Sequence, residues 1–379
     1  MRRQDLRSPS GTVFSSALVA LFLVHCGGSV RNDTGQTSPI GGAATAAGGG
    51  NAGGAGGAST GGAGAANTGG TGVSNAGGSV TGTSGSAGSG GAPVGDPCKV
   101  LSACTYLAYD AAGAGFNRNL FAVRTDGKAS LGEPKQLTTG AANDMEPTFA
   151  PDGATIAFTS DRSGTLQIHL LQLTTGDITQ VTSLPGGAQQ PAFSTSGKLL
   201  AFHSGASVYT IGIDGSALQV IATGPDTTNA YRHPTFPPDG VSLVFDRGNE
   251  VDRVSLSGGP LKQLVPNTTD TEEMPSLSPD GVSLAFATYC DDGIESVWII
   301  PAAGIPTSQF ACNVAKRVSP KDGASATRPA WGPLGAIAFE HHGATVTLDA
   351  VHSDGSADTL VSEKDPRNPA WAPVGTVLP

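Results

Sequence analysis

Charge and aromatic rings are both scarce in this sequence. Charged residues make up 14% and aromatic residues 6% of 379 residues, against roughly 25% charged in an average globular protein. The shortage is concentrated: residues 34–95 contain no charged and no aromatic side chain, and 22 of the 55 glycines lie between Gly41 and Gly91. Such a stretch cannot bury enough apolar surface to offset its ordering entropy, so it is a linker, and the remainder forms one large domain. Positive charge is short as well. The net charge is −10, and residues 1–33 hold four Arg against two Asp, which leaves −12 on the rest. An acidic domain of this kind argues against nucleic acid as a partner. The motifs of common catalytic machinery are missing: there is no Gly-x-Ser-x-Gly, no P-loop and no His-Glu-x-x-His. No Cys-x-x-Cys or His spacing suits zinc, so neither a catalytic residue, a cofactor nor a metal is expected.

What is present begins at the N-terminus. Arg2, Arg3 and Arg7 precede an apolar run over 13–24, too short to span a bilayer and matched to the central region of an export signal. The run ends at Leu23-Val24-His25-Cys26-Gly27, and here the segment resembles a bacterial lipoprotein signal, in which a peptidase cuts before a Cys that receives acyl chains. His25 departs from that pattern, which has Gly, Ala or Ser there; the alternative is an ordinary signal peptide with an incidental Cys. The resemblance implies lipidation at Cys26. It further implies an exported protein anchored in the outer membrane through lipid, facing the periplasm or the cell surface. Each buried CH₂ contributes about 0.8 kcal/mol, so two or three acyl chains make a lasting anchor. The resulting division is 1–25 signal peptide, 26–97 lipidated Cys and Gly-rich linker, and 98–379 globular domain.

Beyond Cys98 the chain repeats itself. Pro147-Thr148-Phe149-Ala150-Pro151-Asp152-Gly153 leads to Ile156-Ala157-Phe158. Pro191-Ala192-Phe193 leads to Leu200-Ala201-Phe202. Pro234-Thr235-Phe236 with Pro238-Asp239-Gly240 leads to Leu243-Val244-Phe245. Pro275-Ser276-Leu277 with Pro279-Asp280-Gly281 leads to Leu284-Ala285-Phe286. Pro329-Ala330-Trp331 leads to Ile337-Ala338-Phe339, and Pro369-Ala370-Trp371 stands near the C-terminus. Successive prolines lie 44, 43, 41, 54 and 40 residues apart, the period of a four-stranded propeller blade. A proline opening a strand gives up an N–H that the ladder does not need. Pro-Asp-Gly is turn chemistry between two runs of alternating apolar residues, hence a hairpin. Third strands follow, such as Val208-Tyr209-Thr210-Ile211 and Val297-Trp298-Ile299-Ile300. Outer strands are expected at Leu137-Thr138, Val181-Thr182, Leu264-Val265 and Val318-Ser319. No stretch carries a 3.6-residue apolar period, so helices should be nearly absent.

Pro-x-Phe/Trp followed by Ser-Pro-Asp-Gly, then Ile-Ala-Phe, then Ser160-Asp161-Arg162-Ser163-Gly164, resembles the WD40-like PD40 repeat of the TolB β-propeller family over residues 104–379. The resemblance implies an all-β, six-bladed propeller of four-stranded antiparallel blades. Leu107-Ala108-Tyr109 has a second strand with no Pro-x-Phe before it, whereas Pro369-Ala370-Trp371 has a first strand with little after it. Joined, they make the sixth blade and remove open sheet edges. As a further apolar run, Thr376-Val377-Leu378 could compete with Leu107-Ala108-Tyr109 for the same place. The N-terminal α/β domain of TolB has no counterpart here, its place being taken by the linker.

Four cysteines follow Cys26, an even number that in an exported chain suggests disulfides. Cys98 and Cys104 bracket the start of the first blade, and Cys290 and Cys312 flank the longest repeat; these are the expected pairs, though four cysteines allow three pairings.

Loops joining outer to inner strands, and second to third strands, open on one propeller face. The first set ends at Asp144 and Glu146, Gln190, Arg232 and His233, Glu272 and Glu273, Arg328, and Arg367 and Asn368. The second contains Asp161 and Arg162, His203, Asp246 and Arg247, Asp291 and Asp292, and Glu340, His341 and His342. From these the candidate binding face is drawn as Glu146, Gln190, Arg232, His233, Arg328, Asn368, Asp161, Arg162, His203, Asp246, Arg247, Glu340 and His341. Solvated loops are polar in any case, which is the plain alternative. His203, Asp246 and Glu340 each follow the Phe of a second strand and would be the ligands if a cation bound at the axis. His341 and His342 alternate across a strand and cannot serve one ion. The aromatic residues of Pro-x-Phe/Trp are expected in the core between blades.

The expectation is a non-enzymatic envelope module, monomeric, that binds a protein, peptide or glycan. Two rivals are a metal-assisted hydrolase or lyase at the channel mouth and a Tol–Pal-like envelope-assembly component.

Overall fold

A computed structural model describes residues 103–113, 117–248, 250–265, 273–290, 292–306, 311–352 and 355–379. The expected export signal, Cys26, the expected linker, Cys98, Glu272 and Asp291 lie outside the described residues.

The described chain folds into six four-stranded sheets, every pairing antiparallel. Numbered in chain order, β1 (Thr105–Ala112), β2 (Arg118–Thr125) and β3 (Lys135–Gln136) come first. Blade I holds β4 (Asp144–Phe149), β5 (Thr155–Ser160), β6 (Gln167–Gln172) and β7 (Ile178–Gln180). Blade II holds β8 (Gln189–Phe193), β9 (Leu199–Ser204), β10 (Ser207–Gly212) and β11 (Gln219–Thr223). Blade III holds β12 (Arg232–Thr235), β13 (Ser242–Asp246), β14 (Val251–Ser255) and β15 (Lys262–Val265). Blade IV holds β16 (Glu273–Leu277), β17 (Ser283–Thr288), β18 (Ser296–Pro301) and β19 (Lys316–Arg317), with a four-residue helix α1 (Ala311–Val314) in its long loop. Blade V holds β20 (Ser325–Trp331), β21 (Ile337–His342), β22 (Val346–Val351) and β23 (Ala357–Val361). The last strand, β24 (Arg367–Trp371), joins β1–β3 as the inner strand of blade VI.

The ring is therefore closed by both ends of the domain. Leu107 pairs with Trp371 and Ala108 with Ala370, and the Thr105 hydroxyl donates to the Ala372 carbonyl at 2.6 Å. Residues 376–378 do not compete for this place. The chain turns after Pro373, with the Thr376 N–H on the Pro373 carbonyl at 3.2 Å, and Leu378 packs against the blade VI–blade I interface.

Core lies between blades. Six buried clusters occur among the described residues, each drawing on two adjacent blades. The aromatic of each Ile/Leu-Ala/Val-Phe run sits there: Phe158, Phe202, Phe245, Phe286 and Phe339 have no exposed surface, and Tyr109 takes the same place in blade VI. The glycine of each first turn, such as Gly153 at φ 69°, Gly240 at 66° and Gly281 at 71°, occupies a left-handed conformation that a side chain would strain.

Two sequence expectations need correction. The repeat proline does not open its strand. It lies inside, at a β-bulge, where its missing N–H leaves no gap in the ladder. Three of the expected outer strands end just before the Leu/Val-Thr/Ser pairs named for them. Leu137, Val181 and Val318 still donate their N–H to third-strand carbonyls at 2.8–2.9 Å. The next hydroxyl turns back: Thr138, Thr182 and Ser319 accept the N–H of Leu120, Ile168 and Val297 at 3.0, 2.8 and 3.1 Å.

Candidate functional site at the channel mouth

Strands β4, β8, β12, β16, β20 and β24 contact one another around the axis and enclose a cavity of about 300 Å³. Its mouth is ringed by the residue before each repeat proline: Glu146, Gln190, His233, Met274, Arg328 and Asn368. All six have φ between 46° and 60°, a left-handed conformation that costs a non-glycine residue of order 1–3 kcal/mol and persists only where surroundings enforce it. The enforcement is the bulge, at which two residues of the inner strand face one of the second strand. Below this ring lie small residues one position after the proline, Thr148, Thr235, Ser276, Ala330 and Ala370.

The bulge turns the mouth N–H groups out of the ladder, and side-chain oxygens receive five of the six. Glu146 N–H donates to Asp110 Oδ1 at 3.0 Å. Gln190 N–H donates to Glu146 Oε2 at 3.0 Å and His233 N–H to Gln190 Oε1 at 3.0 Å. Met274 N–H donates to Asp246 Oδ2 at 2.8 Å and Asn368 N–H to Glu340 Oε1 at 2.8 Å. Asn368 Nδ2 reaches Asp110 Oδ1 at 2.6 Å. Each of these oxygens belongs to a residue before a proline or to one just after a second-strand aromatic. At the junction of blades IV and V those places hold Met274 and Ala287, which carry no acceptor, so the belt lacks that link.

The charged groups of the belt are buried and specific. Asp110 has no exposed surface; burial pushes its pKa up to about 6, against the lowering effect of Arg118, the Glu146 N–H and Asn368. Burial raises Glu340 too, but His342, Arg328, the Asn368 N–H and Arg367 outweigh it and leave its pKa below the usual range. Arg328 Nε lies 3.3 Å from Glu340 Oε1 and Arg367 3.3 Å from Oε2. His233 Nδ1 lies 2.5 Å from Asp246 Oδ2. Burial lowers the pKa of His203, whose Nδ1 has no partner, as has Nε2 of His233.

Five of the thirteen residues proposed from sequence line the cavity: Glu146, Gln190, His233, Arg328 and Asn368. Asp246 and Glu340 stand behind them as acceptors. The others serve elsewhere. Asp161 holds Asn143, taking its N–H at 2.8 Å and its Nδ2 at 2.7 Å. Arg162 binds both oxygens of buried Asp144 at 2.8 and 2.9 Å. Arg247 pairs with Glu250, Arg232 is exposed, and His341 faces Asp349 at 2.8 Å and Asp322 at 3.1 Å. His342 instead approaches Glu340 at 3.1 Å, so the two neighbours do point apart. Among the described residues no group of three or more His, Cys, Asp or Glu is arranged to hold a metal ion; His203, Asp246 and Glu340 do not converge.

Sequence reasoning missed Asp110, Met274 and the ring of small residues. Register would have found them: Asp110 follows Tyr109 as Asp246 follows Phe245, and the x of Pro-x-aromatic is Thr, Ala or Ser every time. The tryptophans also differ from expectation. Trp331 and Trp371 pack against blade interfaces but line the cavity as well.

Cys290 and Cys312 form a disulfide with Cα atoms 5.1 Å apart. Cys104 is disulfide-bonded too; its expected partner Cys98 lies outside the described residues.

Comparison with known proteins gives this architecture relatives. Residues 107–257 match the family model described as PD40, TolB beta propeller domain. Over 113 residues the chain is 29% identical to the Protein TolB homolog of Chlorobium chlorochromatii, covering 29% of this chain and 25% of that protein. The match thus spans a quarter of that relative's length. Among solved structures, TolB from Acinetobacter baumannii superposes with a TM-score of 0.59 at 23% identity, covering 71% of this chain and 67% of that one. A nidogen–laminin complex gives 0.56 at 12%, covering 71% and 98%. A TolB from Agrobacterium tumefaciens, itself described as putative, gives 0.54 at 14%, covering 70% and 91%. At these identities the structural likeness speaks for the fold.

Proposed function

We propose that this TolB-like propeller of PD40 repeats is a non-enzymatic binding module of the cell envelope, which holds a segment of a partner protein at the mouth of its axial channel. The observation that carries the reading is the ring of six left-handed residues, five of them polar, kept in place by a hydrogen-bonded belt that crosses from blade to blade. Strain maintained at every repeat around one cavity marks a site rather than a packing solution. The acids of the belt are occupied in holding backbone amides and cations, which suits a rigid recognition surface better than proton transfer. A cavity of about 300 Å³ with a waist of Thr, Ser and Ala admits one or two side chains, so the partner inserts residues rather than a domain.

Placement in the envelope is supported by the basic and apolar segment ending at Cys26 together with the kinship to TolB. In this reading Cys26 is acylated and the linker suspends the propeller from the membrane. A peptidoglycan-associated lipoprotein is the first partner to test by pull-down.

The test is photo-crosslinking in living cells, with the crosslinker at exposed Arg232 beside the mouth or at Val282, 65% exposed in a turn at the opposite ends of the strands. Adducts with one envelope protein from position 232 and none from 282 support the reading. The reverse pattern, or none from 232, overturns it.

A further inference from the structure

Around the channel mouth each inner strand gives one backbone N–H to an acceptor on the blade before it, except at one junction. Arg328 of blade V, at φ 51°, lines the cavity, and among the described residues no side-chain oxygen takes its N–H. Two places could supply one. Met274 stands where blades I and II have Glu146 and Gln190, and Ala287 stands where blade I has Thr159. The gap is local. One step below it the Trp331 N–H donates to Ser276 Oγ at 2.9 Å, so blades IV and V stay joined there. Met274, Ser276 and Trp331 line the cavity together with Arg328. An occupant of the mouth therefore meets a polar N–H flanked by a thioether and an indole.

We propose that the inserted partner segment supplies the sixth link: an amide carbonyl of that segment accepts the Arg328 N–H, with an apolar side chain beside it against Met274 and Trp331. The inference rests on the proposal that the mouth holds a segment of a partner protein, and it names what that segment offers there. A backbone N–H cut off from water needs an acceptor, so an occupant that covers Arg328 without one binds poorly. The surrounding charge selects a neutral acceptor over a carboxylate. The Arg328 guanidinium already faces Glu340 at 3.3 Å. Glu273 has its pKa raised by burial and by Asp246, and Glu295 by burial and by Glu273; both also sense Arg328. A further anion would be repelled by four acids, whereas an amide carbonyl carries no net charge. Thioether and indole both favour an apolar neighbour.

The experiment builds the missing acceptor into the full chain. Met274→Gln places an amide where Gln190 receives the His233 N–H, and Ala287→Thr places a hydroxyl where Thr159 receives the Gln190 N–H at 3.1 Å. Either substitution closes the belt and competes with the partner for Arg328. The urea midpoint should rise, and the adduct formed in cells from a photo-crosslinker at position 232 should fall about five- to tenfold, the effect of one net hydrogen bond. Val282→Gln, at the opposite ends of the strands, should change neither. In vitro the probe is N-acetylleucinamide, which offers amide carbonyls and one apolar side chain. At millimolar concentration it should shift the Arg328 amide resonance of the full chain, and 4-methylpentanoate, with the same branch and a carboxylate, should shift it less. A variant that gains stability yet keeps the wild-type adduct overturns the proposal. So does a midpoint that neither variant raises, because the N–H then takes no acceptor from the places that serve it in other blades. A carboxylate probe equal to the amide, or no shift from the amide, overturns it too. Absence of any adduct from position 232 in the otherwise unaltered chain is a different failure: it removes the mouth as the partner's site, and this inference with it.

Discussion

The amide of Glu146 donates to Asp110 Oδ1 at 3.0 Å, tying blade I to the blade built from the two ends of the domain. The same oxygen takes Asn368 Nδ2 at 2.6 Å, and Oδ2 is held by Arg118. One buried carboxylate on a second strand thus serves the inner strands of blades I and VI and the third strand of its own blade. Asp110→Ala leaves three donors without an acceptor, a loss of about 2–4 kcal/mol, measurable as a lower midpoint in urea.

The same residue sets a pH dependence. Its pKa is raised from 3.8 to about 6 in the folded state, so between those values the folded chain binds more protons than the unfolded one. Stability contributed by Asp110 therefore declines as pH rises through about 4 to 6 and stays low above. Glu340 has the opposite sign. Its pKa is below the ordinary 4.5, so its contribution is present above that value and disappears as pH falls further. Denaturant titrations of wild type against Asp110→Asn should show the difference shifting by about 2–3 kcal/mol across the window. Against Glu340→Gln, the wild-type advantage should shrink only on the acid side. A flat difference for Asp110→Asn rules out this account.

Much of the ring was legible in the sequence because each blade repeats the same solution. Pro147 and its five counterparts give the spacing, Phe158 and its counterparts the buried second strand, and the unmatched Leu107-Ala108-Tyr109 and Pro369-Ala370-Trp371 give the closure. The mouth was half legible. Side chains before a proline can be counted, but whether they face the axis depends on the bulge, which one repeat does not reveal. Asp110 escaped notice because its blade begins without the Pro-x-Phe landmark, and Met274 because an apolar residue gives no polar signal. Arg162 and Asp161 carry the most recognisable motif of the repeat, yet they hold Asp144 and Asn143. A turn rich in charge here stabilises its own blade.

Gly332 makes a separate test of the seam between blades V and VI. A Cβ there would lie 2.7 Å from two atoms of the Trp371 ring, and that ring is fixed by Nε1 on the Ala330 carbonyl at 2.9 Å. Gly332→Ala should cost about 1–3 kcal/mol through overpacking and shift the tryptophan fluorescence. Gly343→Ala, whose Cβ meets nothing closer than 3.8 Å, is the control and should leave the spectrum unchanged.

The disulfide between Cys290 and Cys312 closes a 22-residue separation around the longest repeat. Chain entropy assigns a loop of that size about 3 kcal/mol. Replacing both by Ser should lower stability by about that amount while preserving the strand content seen by circular dichroism. Ala311 is fully buried, and Cys290 packs against the same cluster, so loosening should be confined to blades III and IV, which share it. Hydrogen exchange should quicken in Ser296–Pro301 and leave Gln167–Gln172 of blade I unaffected.

Closure of the ring is tested by removing its last strand. Truncation after Lys364 deletes β24 and with it the Thr105 bond to Ala372 at 2.6 Å, the Asn368 bonds to Asp110 and Glu340 and the inner ring's sixth member. β1 is left with an open edge, and β4 and β20 each lose a neighbour. Open edges of this length pair with other chains, so the truncated protein should aggregate on refolding while the full chain does not. Truncation after Pro373 keeps every one of those bonds and removes only the turn and Leu378. That variant should stay monodisperse, with a loss of about 1–2 kcal/mol for the uncovered blade VI–blade I interface. If the longer truncation remains soluble and keeps its midpoint, the terminal strand is not what holds the propeller shut.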